Sequence, residues 1–176
     1  MNRTRRQFLI ATGGGIAALG FCPWLLADGT LTIAMRGTAR GARVWFDPLG
    51  LAVPADTSIR FVNRDAANSH TATTYHPRIN DRARRIPAMA EPWNSGFLMP
   101  EEVFEVHLNQ PGVYDYYCIP HERAGMVGRI VVGTPDDDDW DGISDGSTNI
   151  PAAAASTLPE VDTVLRAGRI ESEGAG

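Results

Sequence analysis

The residues of this chain best suited to chemistry are soft metal donors. Cys118, His121 and Met126 stand at C-x-x-H-x-x-x-x-M within Tyr116-Tyr117-Cys118-Ile119-Pro120-His121-Glu122-Arg123-Ala124-Gly125-Met126-Val127-Gly128, and His70 offers a fourth donor upstream. One thiolate, two imidazoles and a weak axial thioether make up the donor set of a blue-copper electron-transfer site. Cu(I) favours soft sulfur and Cu(II) favours nitrogen, so a compromise set on a stiff frame serves both states with little rearrangement. Other fates of the same residues fit less well. A buried structural thiol explains Cys118 but not its spacing from His121 and Met126. Zinc recruits four strong donors and no thioether, and a catalytic Cys/His pair has no use for Met126 or His70.

The elements that must position these donors are strands. Apolar residues recur with period two at Leu31/Ile33/Met35, Ile59/Phe61 and Phe104/Val106/Leu108, the mark of strands with one buried face. Turn signals at Asp47-Pro48, Val53-Pro54 and Gln110-Pro111-Gly112 separate them, and long helical stripes are absent. The pattern predicts an all-β sandwich of seven or eight strands. A strand ending at Cys118 would turn through Pro120 and return near Met126, aiming Cys118, His121 and Met126 at one point. His107 alternates outward with the solvated face of its strand and is excluded as a ligand. His76 lies in a long loop, His76 to Pro92, that also carries Arg78, Arg82, Arg84 and Arg85. That cluster suits either docking of an acidic partner or neutralisation by the chain's own acids.

Composition limits the remaining classes. The 176 residues carry a formal net charge of −5 from 16 basic and 21 acidic residues, and every basic residue is arginine, so a nucleic-acid footprint is not expected. Residues 1–27 hold Arg5-Arg6-Gln7-Phe8-Leu9 and then a glycine-diluted apolar run to Leu26, which resembles a twin-arginine export signal cut after Ala27. An uncleaved anchor and acylation at Cys22 are the alternatives weighed. Export would leave Cys118 as the sole cysteine, so no internal disulfide is expected. Residues 28–133 form the expected domain, with 11 arginines against 11 acids; residues 134–176 form an acidic, flexible tail with 2 against 10. Within that tail Asp137, Asp139, Asp141, Gly142 and Asp145 follow D-x-D-x-D-G-x-x-D, a calcium-loop spacing, although an acidic linker explains it as well. Pro151 to Thr157 is expected to be a spacer and Leu158 to Ile170 a short helix.

The segment Tyr-x-Tyr-x-Cys-x-Pro-His with Gly-Met-Val-Gly, together with Phe61-Val62-Asn63 leading to His70, resembles the cupredoxins, in particular plastocyanin, pseudoazurin and halocyanin-like proteins, over Leu31 to Gly133. The resemblance implies a Greek-key β-sandwich and one type 1 copper. It makes His70, Cys118 and His121 the strong ligands, through Nδ1 of each histidine, and Met126 the axial one. It implies a monomeric electron carrier, not an enzyme, serving c-type cytochromes or a copper oxidoreductase, and the export signal would place it in the periplasm. Copper storage or delivery in the cell envelope is the alternative function. An apolar patch around His121, with Pro120, Ala124 and Val127, is the implied docking surface, and Tyr116 and Tyr117 are expected to exclude water. Many family members brace the site with Asn after the first histidine and Ser or Thr after the cysteine. Here Thr71 and Ile119 stand there, so that brace is expected to be missing. The Thr71 N–H remains available to the sulfur, whereas Pro120 has none to give.

Overall fold

The computed structural model describes residues 31–143 and 149–172. Nine strands among them form two sheets. The first has the order β2-β1-β4-β6, from Leu31–Gly37 (β1), Val44–Asp47 (β2), Thr57–Asn63 (β4) and Val103–Leu108 (β6). The second has the order β5-β7-β8-β3-β9, from Gly50–Val53 (β3), Thr73–Thr74 (β5), Gly112–Tyr117 (β7), Val127–Val132 (β8) and Arg169–Ile170 (β9). Both sheets are mixed, because β1 runs parallel to β4 and β3 parallel to β8 while the other pairs are antiparallel. The β-sandwich expected from period-two patterning is present. The count exceeds seven or eight through β9, which comes from the tail.

The alternation read from sequence fills the core between the sheets. Ile33 and Met35 from β1, Ile59 and Phe61 from β4, and Tyr114 and Tyr116 from β7 are buried together. Tyr116 meets Phe46 and Phe61 edge to face, with centroids 4.8 Å and 5.1 Å away, the geometry favoured by ring quadrupoles. On β6 the pattern keeps His107 outward beside Ser58 and Asp56.

The strands β7 and β8 depart from one-face burial, since all twelve of their residues are buried. The second face is covered by the tail and the long loop. Helix α1 (Ala152–Thr157) buries Ala154 against Tyr75, Tyr117 and Val127; helix α2 (Val161–Ala167) buries Val164, and β9 pairs with β3. The expected spacer is therefore α1, and the described part of the tail is packed on the sandwich rather than flexible. Its poly-alanine stretch is what a short helix lying close to a sheet requires: a small side chain at the contact and no competing polar group.

The four arginines of the loop are all paired within the chain. Arg78 meets Glu91, Arg82 meets Glu122, Arg84 meets Asp141 and Arg85 meets Asp115. Neutralisation by the chain's own acids accounts for the cluster. Asp141 also accepts the Ala88 N–H at 2.6 Å, and Asp137 accepts the Thr134 N–H at 2.7 Å. Two carboxylates of the calcium-type spacing thus serve the loop and a turn, and Asp145 lies outside the described residues, as do residues 1–30 with the export signal.

Candidate metal centre

The chain after β7 is folded so that Cys118, His121 and Met126 share one short closed loop. Pro120 begins the 3-10 helix Ile119–Ala124, and Gly125 ends it at φ 81°, ψ 18°, a left-handed conformation that glycine adopts without cost. Backbone bonds then lock the loop: His121 N–H to Cys118 O at 3.0 Å, Met126 N–H to His121 O at 3.2 Å, and Cys118 N–H to Met126 O at 3.0 Å. His70 arrives from the connection between β4 and β5, held by a two-way backbone pair with Leu98 at 3.2 Å and 2.8 Å.

Three donor atoms meet at this end of the sandwich. Nδ1 of His70 lies 3.2 Å from Nδ1 of His121, and Sγ of Cys118 lies 3.6 Å and 3.4 Å from those two nitrogens. The point equidistant from the corners of such a triangle is about 2.0 Å from each, a bond length for a transition metal to nitrogen and slightly short for one to sulfur. The donor spacing therefore fits an ion. His70 and Cys118 are fully buried, whereas His121 is partly exposed. Met126 is fully buried with its backbone tied to Cys118 and His121. Among the described residues this is the one gathering of three His, Cys, Asp or Glu donors. His76 stands apart, its Nδ1 accepting the Arg78 N–H at 3.1 Å.

Electrostatics leave the His121 imidazole neutral and its lone pair free, but favour the Cys118 thiol over the thiolate. Burial, reinforced by His70, holds the His121 pKa below the ordinary imidazole value despite an opposing pull from Asp65. Burial pushes the Cys118 thiol up to about 11, with hydrogen bonds from Thr71 and His121 acting the other way. A cation at the centre of the triangle would reverse that preference and hold the thiolate.

Residues 33–133 match the family described as copper binding proteins, plastocyanin/azurin family. The chain belongs to that family. A chloroplastic plastocyanin of Oryza sativa subsp. indica is 30% identical over 127 residues, covering 72% of this chain and 80% of the relative. One from Chlamydomonas reinhardtii is 28% identical over 123 residues, 70% of this chain and 81% of the relative. Among solved structures, a pseudoazurin from Sinorhizobium meliltoi aligns with a TM-score of 0.55 at 26% identity, over 79% of this chain and 98% of that one. As a cupredoxin the chain is of the copper-binding, electron-transfer type, and its His70-Cys118-His121 cluster suits one type 1 copper.

Two features of this cupredoxin correct the sequence reading. The brace expected to be missing exists in another form: the Ile119 N–H donates to Thr71 Oγ1 at 2.9 Å, and the Thr71 N–H donates to Cys118 Sγ at 3.3 Å. A side chain-to-backbone bond does the work of a side-chain pair. Val127, assigned to the docking patch, is buried under α1, while Pro120, Ala124 and Ile119 are exposed beside His121. Tyr116 and Tyr117 are both buried, one in the main core and one under the tail. The sequence reading missed Asp65, whose Oδ2 lies 3.0 Å from His70 Nε2 with both side chains buried. A single acid between Asn63 and His70 has no spacing that separates it from an ordinary loop carboxylate.

Proposed function

We propose that this cupredoxin is an exported mononuclear type 1 copper protein that carries single electrons between larger redox proteins and does no chemistry on a small substrate. His70 and His121 would hold the ion through Nδ1 and Cys118 through its sulfur, with the Met126 thioether as a weaker fourth donor. Bound there, copper would supply a one-electron Cu(II)/Cu(I) couple between a reduced and an oxidised partner. The protein's part is to keep the donors still. The closed loop from Cys118 to Met126 and the His70–Leu98 pair resist the geometry change that Cu(I) and Cu(II) would otherwise undergo. The observation that carries the proposal is the triangle of donor atoms, 3.2 to 3.6 Å on a side, of which one imidazole alone reaches the surface. Electrons would pass at that His121 edge, with exposed Ile119 and Pro120 beside it as the contact for a c-type cytochrome or a copper oxidoreductase.

Residues 1–27 are proposed as the twin-arginine signal that sends the domain to the periplasm, where it works as a monomer. Among the described residues no helix is long and apolar enough to cross a membrane. The test is the visible and EPR spectrum after adding one equivalent of Cu(II). An intense thiolate-to-copper band with narrow copper hyperfine splitting is the expected result. A pale, ordinary Cu(II) spectrum would overturn the carrier and favour copper handling in the envelope.

A further inference from the structure

Asp65 does more than fill a loop. Its Oδ2 faces His70 Nε2 at 3.0 Å, with side-chain exposures of 2% and 0%. The same carboxylate accepts the Ala67 N–H at 2.9 Å and the Asn68 amide at 2.8 Å. Its own N–H donates to Asn63 Oδ1 at 2.9 Å, and Asn63 reaches back with its amide to Asn68 O and Leu98 O. The backbone that pairs with His70 and the carboxylate behind it are thus parts of one network. The chain also leaves room for this group: a Cβ on Gly37 would stand 2.0 Å from Asp65 Oδ2. Gly37 has no need of glycine for its backbone, because its φ is not positive, so the close approach is what a side chain there would violate.

The groups donating to Asp65 are an amide N–H, a carboxamide and an imidazole, none of them a permanent cation. A carboxylate that only accepts hydrogen bonds keeps its charge. A histidine that gives Nε2–H to it carries its lone pair on Nδ1, the atom facing Cys118 and His121.

We propose that Asp65 is a positioning residue of the metal centre, which fixes the tautomer and direction of His70 and sets a buried negative charge behind it that favours Cu(II) over Cu(I). This inference rests on the copper reading above. The oxidised ion carries one more positive charge than the reduced ion, so an uncancelled anion behind a ligand stabilises it more.

The test uses the full chain with Asp65→Asn, Asp65→Ala and Gly37→Ala. Asn keeps one oxygen for Nε2–H and removes the charge, while its NH2 group gives up the bond from the Ala67 N–H. Its thiolate-to-copper band should survive, and at a fixed poise its oxidised-to-reduced ratio should fall about tenfold, equivalent to a potential about 59 mV higher. Ala removes the acceptor too, and copper affinity should then drop about 10- to 100-fold. Gly37→Ala should approach the Ala result by pushing the carboxylate aside. In the metal-free protein, long-range 1H–15N correlation should find the His70 Nε2–H tautomer in the parent and a mixture of the two neutral tautomers in Asp65→Ala. An unchanged potential in a coloured Asp65→Asn, or a parent His70 protonated at Nδ1, would overturn the inference alone. A parent that never develops the band would overturn the copper reading, and the inference with it.

Discussion

Strand β7 and the residue that follows it present two buried polar clusters on opposite faces of one sheet, and they are built on opposite plans. On the outer face Asp115 is held by Arg129 at 2.7 Å and 3.0 Å and by Arg85 at 2.7 Å, while Arg129 also reaches Pro159 O. Toward the core, just past the end of the strand, Cys118 meets His70 and His121, three donors with no cation among them. The first cluster is closed: every charge has a partner, and its product is the attachment of loop and tail to the sheet. The second is open to a cation: its three donor atoms converge on one point at distances an ion would span. Opposite charges close on one another, whereas soft donors of one kind converge. That mix of groups, rather than burial itself, separates a ligand site from a clasp.

The comparison can be broken most sharply from the open side. Cys118→Ser should abolish the visible band entirely, since the charge-transfer transition needs the thiolate, while the metal-free chain unfolds in urea much as the parent does; a retained band would sink the assignment. From the closed side, Asp115→Ala leaves buried Arg129 and half-buried Arg85 without their carboxylate, and urea unfolding should register a loss of about 3–5 kcal/mol. The copper spectrum of its folded fraction should not move. A changed spectrum would show that the two clusters are coupled through β7.

Smaller effects should sharpen the boundary between them. Thr71→Val removes the acceptor for the Ile119 N–H, which should cost about 1–3 kcal/mol and leave the Thr71 N–H on the sulfur; calorimetry reads the first and the position of the visible band the second. Met126→Leu should bind copper and show a higher reduction potential by voltammetry, because axial donation is lost. An unchanged potential would mean that Met126 does not coordinate.

The parts of this molecule legible in its sequence are those with short-range geometry. Cys118, His121 and Met126 lie within one turn and its flanks, so their spacing already carries their convergence, and period-two runs carry β1, β4 and β6, three strands of the first sheet. His70 was legible as a further donor upstream, but only the resemblance set it beside Cys118, because a lone histidine has no local pattern. Asp65 was not legible at all: its role depends on the absent Cβ of Gly37 and on a loop folding back, neither of which leaves a spacing. The brace was misread because side chain types were compared where a backbone N–H, common to almost every residue, supplies the donor. The tail was misread because its acids suggested a solvated linker, whereas Asp141 is used by Arg84 and the contact with the sheet is made by Ala154 and Val164, small or isolated residues too few to form a stripe.

The short strand β9 has a consequence for how copies of this chain meet one another. Without it β3 would be the border of its sheet, a run of Gly50, Leu51, Ala52 and Val53 with unpaired backbone groups and no charge to repel another chain. Two residues from the tail, Arg169 and Ile170, cover part of that border and bring a charge with them. A chain ending at Gly133 would keep every donor of the metal centre and still present a template for edge-to-edge association, so a strand from the tail guards the border of a domain to whose metal centre it contributes no atom.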